Sequence, residues 1–205
     1  MPPKPKFTKE EVAQAALKII KSDGVDALTA RNLGAYLGTS ARPIFTVFRN
    51  MDEVKLAARE IALMEFEEFA GDFEGYKPAF KRIGMLMVEY AIHEPETFKL
   101  LFMQEHKTQK SFDNTLSDLG SIVDFCIELI EKDFGLSAEQ SKMLFEQMWI
   151  HAYGLCSLCA MKVCDFSEEE ISKRLSQVFM GLIALLKSGK ENENIIMPKK
   201  DTQEK

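Results

Sequence analysis

The stretch "LTARNLGAYLGTSARPIFTVF", residues 28–48, decides the fold. It divides at Gly38. Ahead of the glycine, Thr29 stands as an N-cap and Leu33 and Leu37 lie one turn apart on an inward face. Gly38 ends that helix, because glycine tolerates the left-handed conformation of a helix C-cap. Beyond it, Ser40 is placed to cap a third, short helix whose Ile44, Val47 and Phe48 include the core-facing residues. Pro43 falls in the first turn of that helix, where its missing N–H costs nothing. Two short helices across a tight glycine turn form a helix-turn-helix pattern. A bare pattern of this kind also arises as a corner of an unrelated helical bundle, so the flanking sequence has to separate the two.

Upstream, Thr8 and Glu11 fit a capping box, and Phe7 with Val12 fits the hydrophobic staple around it. Val12, Ala15, Ala16, Ile19 and Ile20 then recur at helical spacing as one buried stripe that stops near Gly24. This supporting helix completes a three-helix unit. Charge separates in the same place. Residues 1–50 hold eight Lys/Arg against four acids, a net of +4, which leaves −10 for the remainder of a chain whose total is −6. A basic N-terminal quarter on an acidic body suits contact with a polyanion through that quarter alone.

Downstream, helical periodicity predicts further helices over about 51–70, 77–93, 95–104, 112–134, 138–162 and 168–189. Ser137/Gln140 and Ser167/Glu170 fit capping boxes. The stretch "GDFEGYKP" is the best elbow, and the polar segment 190–205 reads as a frayed tail. No strand, internal repeat or glycine-rich phosphate loop is recognisable. The expectation is an all-α chain with a three-helix helix-turn-helix unit over 1–50, a helical body over 51–189 and a polar tail over 190–205. The N-terminus lacks an apolar export segment and no membrane-length apolar run occurs, so a cytoplasmic location with reduced cysteines is expected.

In the three-helix unit, Ile44 and Phe48 hold the third helix to Leu33, Leu37, Ile19 and Ile20, and Ala41, Arg42, Pro43, Phe45 and Thr46 face a DNA groove. Arg42 suits two hydrogen bonds to guanine O6 and N7. Pro43 and Phe45 suit a thymine methyl. Thr29 suits a phosphate, through its hydroxyl and nearby N–H groups. Arg31, Arg49, Lys55 and the arm residues Lys4 and Lys6 are electrostatic candidates.

Residues 12–55, "VAQAALKIIKSDGVDALTARNLGAYLGTSARPIFTVFRNMDEVK", resemble the DNA-binding domain of the tetracycline-repressor (TetR) family. The likeness rests on the "DG" exit of the first helix, "ALTARNLG", "LGTS", the aromatic-spaced third helix ending in Phe48 and the "NMDEV" entry to the next helix. Departures fall at Ala41, Arg42 and Pro43, at Phe45 where a tyrosine is common, and at Met51 where a lysine is common. The resemblance implies an all-helical homodimer of about nine helices, with a helix-turn-helix DNA-binding domain (1–50) and a ligand-binding and dimerisation domain (51–189). It implies a transcription regulator, usually a repressor on a near-palindromic operator, released by a small-molecule effector.

In the body, the last two helices suit pairing with their symmetry mates. Gly154, Gly181, Ser157, Cys159 and Ala160 permit close approach, and Leu155, Leu158, Phe179, Leu182, Ile183 and Leu186 supply apolar area. Eleven Met and fifteen Phe suit a plastic apolar cavity. Candidate lining residues are Met85, Met87, Tyr90, Phe102, Met103, Phe125, Trp149 and Tyr153, with His93 and His151 as polar partners, although ordinary core is the alternative for each. Cys156 and Cys159 form a lone C-x-x-C among Leu, Ala and Met, which favours structural thiols over a metal site. No cofactor is expected, and no catalytic constellation supports an enzyme. The rival reading is a ligand-binding or scaffold protein of the same fold that no longer binds DNA, suggested by Phe45 and Met51.

Overall fold

The computed structural model describes residues 5–71, 76–105, 111–117, 119 and 121–189. Among them are nine α-helices and no strand. The helices are α1 (Lys9–Asp23), α2 (Ala30–Tyr36), α3 (Met51–Ala70), α4 (Ala79–His93), α5 (Pro95–Phe102), α6 (Phe112–Ser117), α7 (Ser121–Phe134), α8 (Ala138–Ala160) and α9 (Glu168–Ser188). The expected tail and Lys4 lie outside the described residues, as do residues 72–75 of the elbow.

Local chemistry explains most boundaries. Thr8 and Glu11 form a reciprocal capping box on α1: the Glu11 N–H donates to Thr8 Oγ1 at 3.1 Å and the Thr8 N–H donates to Glu11 Oε2 at 2.8 Å. The same device starts α8 at Ser137/Gln140 and α9 at Ser167/Glu170. Asn50 caps α3 through the Glu53 N–H. The apolar face of α1 is wider than its sequence stripe, since Ala13 and Leu17 are buried too. The cause is packing on several sides: α1 lies against α2, α3 and α5 at once. Where one helix was expected over 112–134, α6 and α7 are separate. α4 packs on α8 and α9, and α7 packs on α8. One continuous apolar core runs from Val12 through Phe98 to Leu186.

The third helix of the N-terminal unit is a single 3-10 turn at Ile44–Thr46. Residues 41–48 are nonetheless wound throughout, with N–H bonds from Ile44 to Ala41 O, from Thr46 to Pro43 O, and from Val47 and Phe48 to Ile44 O. Three features keep it short. Pro43 supplies no N–H. Phe45, Thr46 and Val47 are poor helix formers. The Thr46 hydroxyl donates to Pro43 O at 2.6 Å, competing with the helical ladder.

A candidate nucleic-acid interface and an apolar cavity

The winding of residues 41–48 sorts them by face. Ile44 and Phe48 are buried against the core that contains Leu33, Ile19 and Ile20. Arg42, Phe45, Thr46 and Arg49 are exposed, at positions i, i+3, i+4 and i+7 of one surface. Ala41 and Pro43 are half-buried beside them. Gly34 holds this turn close to α2. A Cβ there would stand 2.9 Å from Ser40 C, 3.0 Å from Ala41 N and 3.1 Å from Thr39 O, all backbone atoms. Gly38 takes φ +63, the left-handed conformation anticipated for it.

The cations of this region divide into free and committed. Arg31 is exposed and Lys6 lies over the Phe7 ring. The Arg49 side chain is 90% exposed and its Nε approaches Glu53 only to 3.7 Å. Lys9, absent from the sequence candidates, sits over the Phe48 ring and so stands beside the turn of residues 41–48. Thr29 caps α2 by accepting the Asn32 N–H at 3.1 Å, which leaves its own hydroxyl proton to give. Lys55 is committed elsewhere: its ammonium donates to Gln104 Oε1 at the end of α5.

The arrangement of helices is similar to that of a solved structure described as a transcriptional regulator. That solved structure, from Rhodococcus sp. Rha1, matches with a TM-score of 0.57 over 88% of this chain and 96% of its own, at 13% identity. No protein-family model matches the sequence, and no curated protein does.

A second site lies in the body. A cavity of about 360 Å³ opens between α4, α7, α8 and α9. α4 contributes Phe80, Lys81, Ile83, Gly84 and Met87. α7 contributes Cys126 and Phe134, and α8 contributes Phe145, Met148, Trp149 and Ala152. Leu175, Ser176, Phe179 and Met180 of α9 close it, with Pro78 at the entry to α4. Burial in this apolar lining pushes the Cys126 thiol up to about 12.

Of the sequence candidates for a ligand, Met87 and Trp149 line this cavity and Tyr153 stacks on Trp149, ring centroids 5.1 Å apart. Tyr90 and Phe102 instead pack around Phe66, at 5.0 and 5.2 Å. Burial first, and then the carboxylates of Glu94 and Glu65, push the Tyr90 phenol up. Met85 and His93 line a separate open groove with Tyr76, Arg82 and Glu89. Met103 packs on the core and Phe125 is half-buried on α7. His151 Nε2 is buried without a hydrogen-bond partner among the described residues. Phe80, Lys81 and Phe134 were missed; the stripe Phe80–Ile83–Gly84–Met87 was the available signal, because its periodicity turns one face of α4 to the interior.

The dimer candidates also separate. Leu155, Ile183 and Leu186 are buried within their own chain, Leu182 packs half-buried on the core, and Phe179 lines the cavity. Leu158 is exposed, together with Ile150, Gly154 and Met161 on the same side of α8. On α9 the exposed apolar positions are Met180 (63%), Gly181, Ala184 and Leu185. A Cβ at Gly154 or Gly181 would meet nothing within 4 Å. Cys156 and Cys159 are buried, and burial pushes both thiols up. No group of three metal-ligating side chains is found among the described residues. No described helix is long and apolar enough to cross a membrane.

Proposed function

We propose that the chain is a DNA-binding transcriptional regulator of the TetR family. It acts as a homodimeric repressor on a near-palindromic operator and is released by a small apolar or amphipathic ligand. The observation that carries this reading is the exposed face of Arg42, Phe45, Thr46 and Arg49 over the buried Ile44–Phe48 seam, in a fold shared with a solved transcriptional regulator. Arg42 reads a base edge by donating to guanine, Phe45 and Pro43 lie against apolar base edges, and Thr29, Arg31, Arg49 and Lys6 hold phosphates. Lys55 ties the reading head to the body.

Two copies double the reading face at a spacing of about 34–36 Å, one turn of DNA. Support for pairing comes from α8 and α9. An exposed mid-helix glycine costs about 1 kcal/mol relative to alanine. Gly154 and Gly181 carry that cost beside exposed Ile150, Leu158, Met161, Met180 and Leu185, with no neighbour among the described residues to require it. A partner helix approaching closely supplies the requirement.

The test is selection of duplexes from a random pool at moderate salt, followed by a salt titration on the enriched sequence. A regulator enriches a near-palindrome and its affinity falls steeply with salt. Absence of any enriched duplex, with no binding even at low salt, refutes the reading and leaves the rival, a ligand-binding protein of this fold.

A further inference from the structure

We infer that the cavity between α4, α7, α8 and α9 takes an anionic amphipath, a straight-chain carboxylate whose head group meets Lys81 and whose hydrocarbon lies along Cys126, Trp149 and Leu175. This deepens the ligand-binding part of the proposed function and rests on it. The lining supplies the argument. Among the described residues that line it, Lys81 is the only charged side chain. Lys81 and Pro78 also line the adjoining open groove, whose walls carry Lys77, Arg82 and His93 together with Glu89 and Glu168, so Lys81 stands where the apolar space meets a polar, charged one. Among the described residues Lys81 has no ion pair, whereas its neighbour Arg82 holds Glu89 at 2.7 Å. The Ser176 hydroxyl donates to Ser172 O at 2.8 Å and has only lone pairs left for a ligand.

An ammonium at the rim of an apolar space is strongly biased towards an anion, since hydrocarbon walls screen the attraction less than water does. The remaining lining favours chain length alone, because apolar contact is non-directional and proportional to area. A neutral alcohol of the same length gains only the second contribution, and a quaternary ammonium is repelled.

Trp149 lines the cavity and is the chain's one tryptophan, so its fluorescence reports occupancy directly. The full chain is titrated with straight-chain carboxylates of increasing length, and with the alcohol and trimethylammonium of matched length. Carboxylate affinity should rise about threefold to fourfold per methylene until the cavity is filled. The carboxylate should outbind the alcohol at least tenfold. Lys81→Met should erase that preference while alcohol binding persists, which also shows that the variant is folded. Lys81→Arg should retain it. Equal binding of carboxylate and alcohol, survival of the preference in Lys81→Met, or no response of Trp149 to any member of the series overturns the inference. DNA affinity is measured in parallel. Carboxylate binding that leaves DNA affinity unchanged refutes ligand-released repression and upholds the assignment of Lys81. Release by the alcohol as readily as by the carboxylate does the reverse.

Discussion

Gly34→Ala sets two effects of opposite sign against each other. Gly34 lies inside α2, where alanine gains about 1 kcal/mol of helix propensity. Taken alone, that gain stabilises the chain. The structure opposes it. The added carbon would stand 2.9–3.1 Å from Ser40 C, Ala41 N and Thr39 O, whereas carbon contacts settle at about 3.5–4.0 Å. Backbone atoms have no rotamer with which to withdraw, so α2 and the reading turn must part by roughly half an ångström. Overpacking of this kind costs typically about 1–3 kcal/mol. The contact wins, for a net loss of about 1 kcal/mol. At roughly 2–4 °C per kcal/mol for a chain of this size, Tm falls by a few degrees. The larger effect should appear in DNA binding, because Ser40 and Ala41 lead directly into Arg42 and a site displaced by about half an ångström loses its productive geometry. The assay pairs thermal unfolding with affinity for the enriched duplex. A variant with raised Tm and unchanged DNA affinity would show that the close approach at Gly34 does not set the reading turn, and the account of the interface would fail with it.

Arg42→Ala should relax selectivity at one base position by about 1–3 kcal/mol. Uniform weakening across all sequences would instead show a phosphate contact. Leu158→Glu with Met180→Glu should yield a monomer of unchanged helix content by analytical ultracentrifugation, and tight self-association of that variant refutes the α8–α9 interface. Tyr153→Phe removes the hydroxyl that donates to Phe102 O at 3.0 Å, so unfolding in denaturant should show a loss of about 1 kcal/mol. The Glu170 carboxyl is held below the usual carboxylate range, first by the Ser167 N–H and then by the Ser167 hydroxyl. Its contribution to α9 is therefore present at neutral pH and is lost as pH falls through that lowered value. Glu170→Gln should flatten the acid dependence of amide exchange in the first turn of α9, and an unchanged profile would refute the capping role.

The N-terminal unit was legible in the sequence because its signals are local. Capping boxes, a helix-ending glycine and an i, i+4 pair such as Ile44–Phe48 depend on neighbours a few residues away. What was not legible depended on distant partners. Gly34 looks like an ordinary helix residue until Ser40 and Ala41 are folded back onto it. Lys55 reads as one more cation near DNA, but Gln104 takes it. Leu155, Ile183 and Leu186 share helices with the exposed apolar positions, and only the packing of α8 against its neighbours decides which face is already covered. The short third helix is reduced to a 3-10 turn at 44–46 for a local reason: the helical period is present, while Phe45, Thr46 and Val47 are poor helix formers.

The end of α5 lies between the cavity of the body and the N-terminal unit, and side chains from both sides meet there. The last carbonyls of a helix have no partner within it. In α5 side chains reach them: Arg59 of α3 donates to Leu101 O at 3.1 Å and Tyr153 of α8 to Phe102 O, while Gln104, two residues beyond the helix, folds back to donate to Lys99 O at 2.9 Å. Gln104 in turn accepts from Lys55, near the start of α3, and Tyr153 stacks on the cavity-lining Trp149. α3 begins directly after Phe48 and Arg49. A ligand that displaces Trp149 would have a route from the cavity to the start of α3, through a stack and a few hydrogen bonds anchored on one helix end. Such a path transmits a preference only if occupied and empty cavities hold that end differently. A ligand that leaves Trp149 and Tyr153 where they are would bind without moving the head, however tightly it bound.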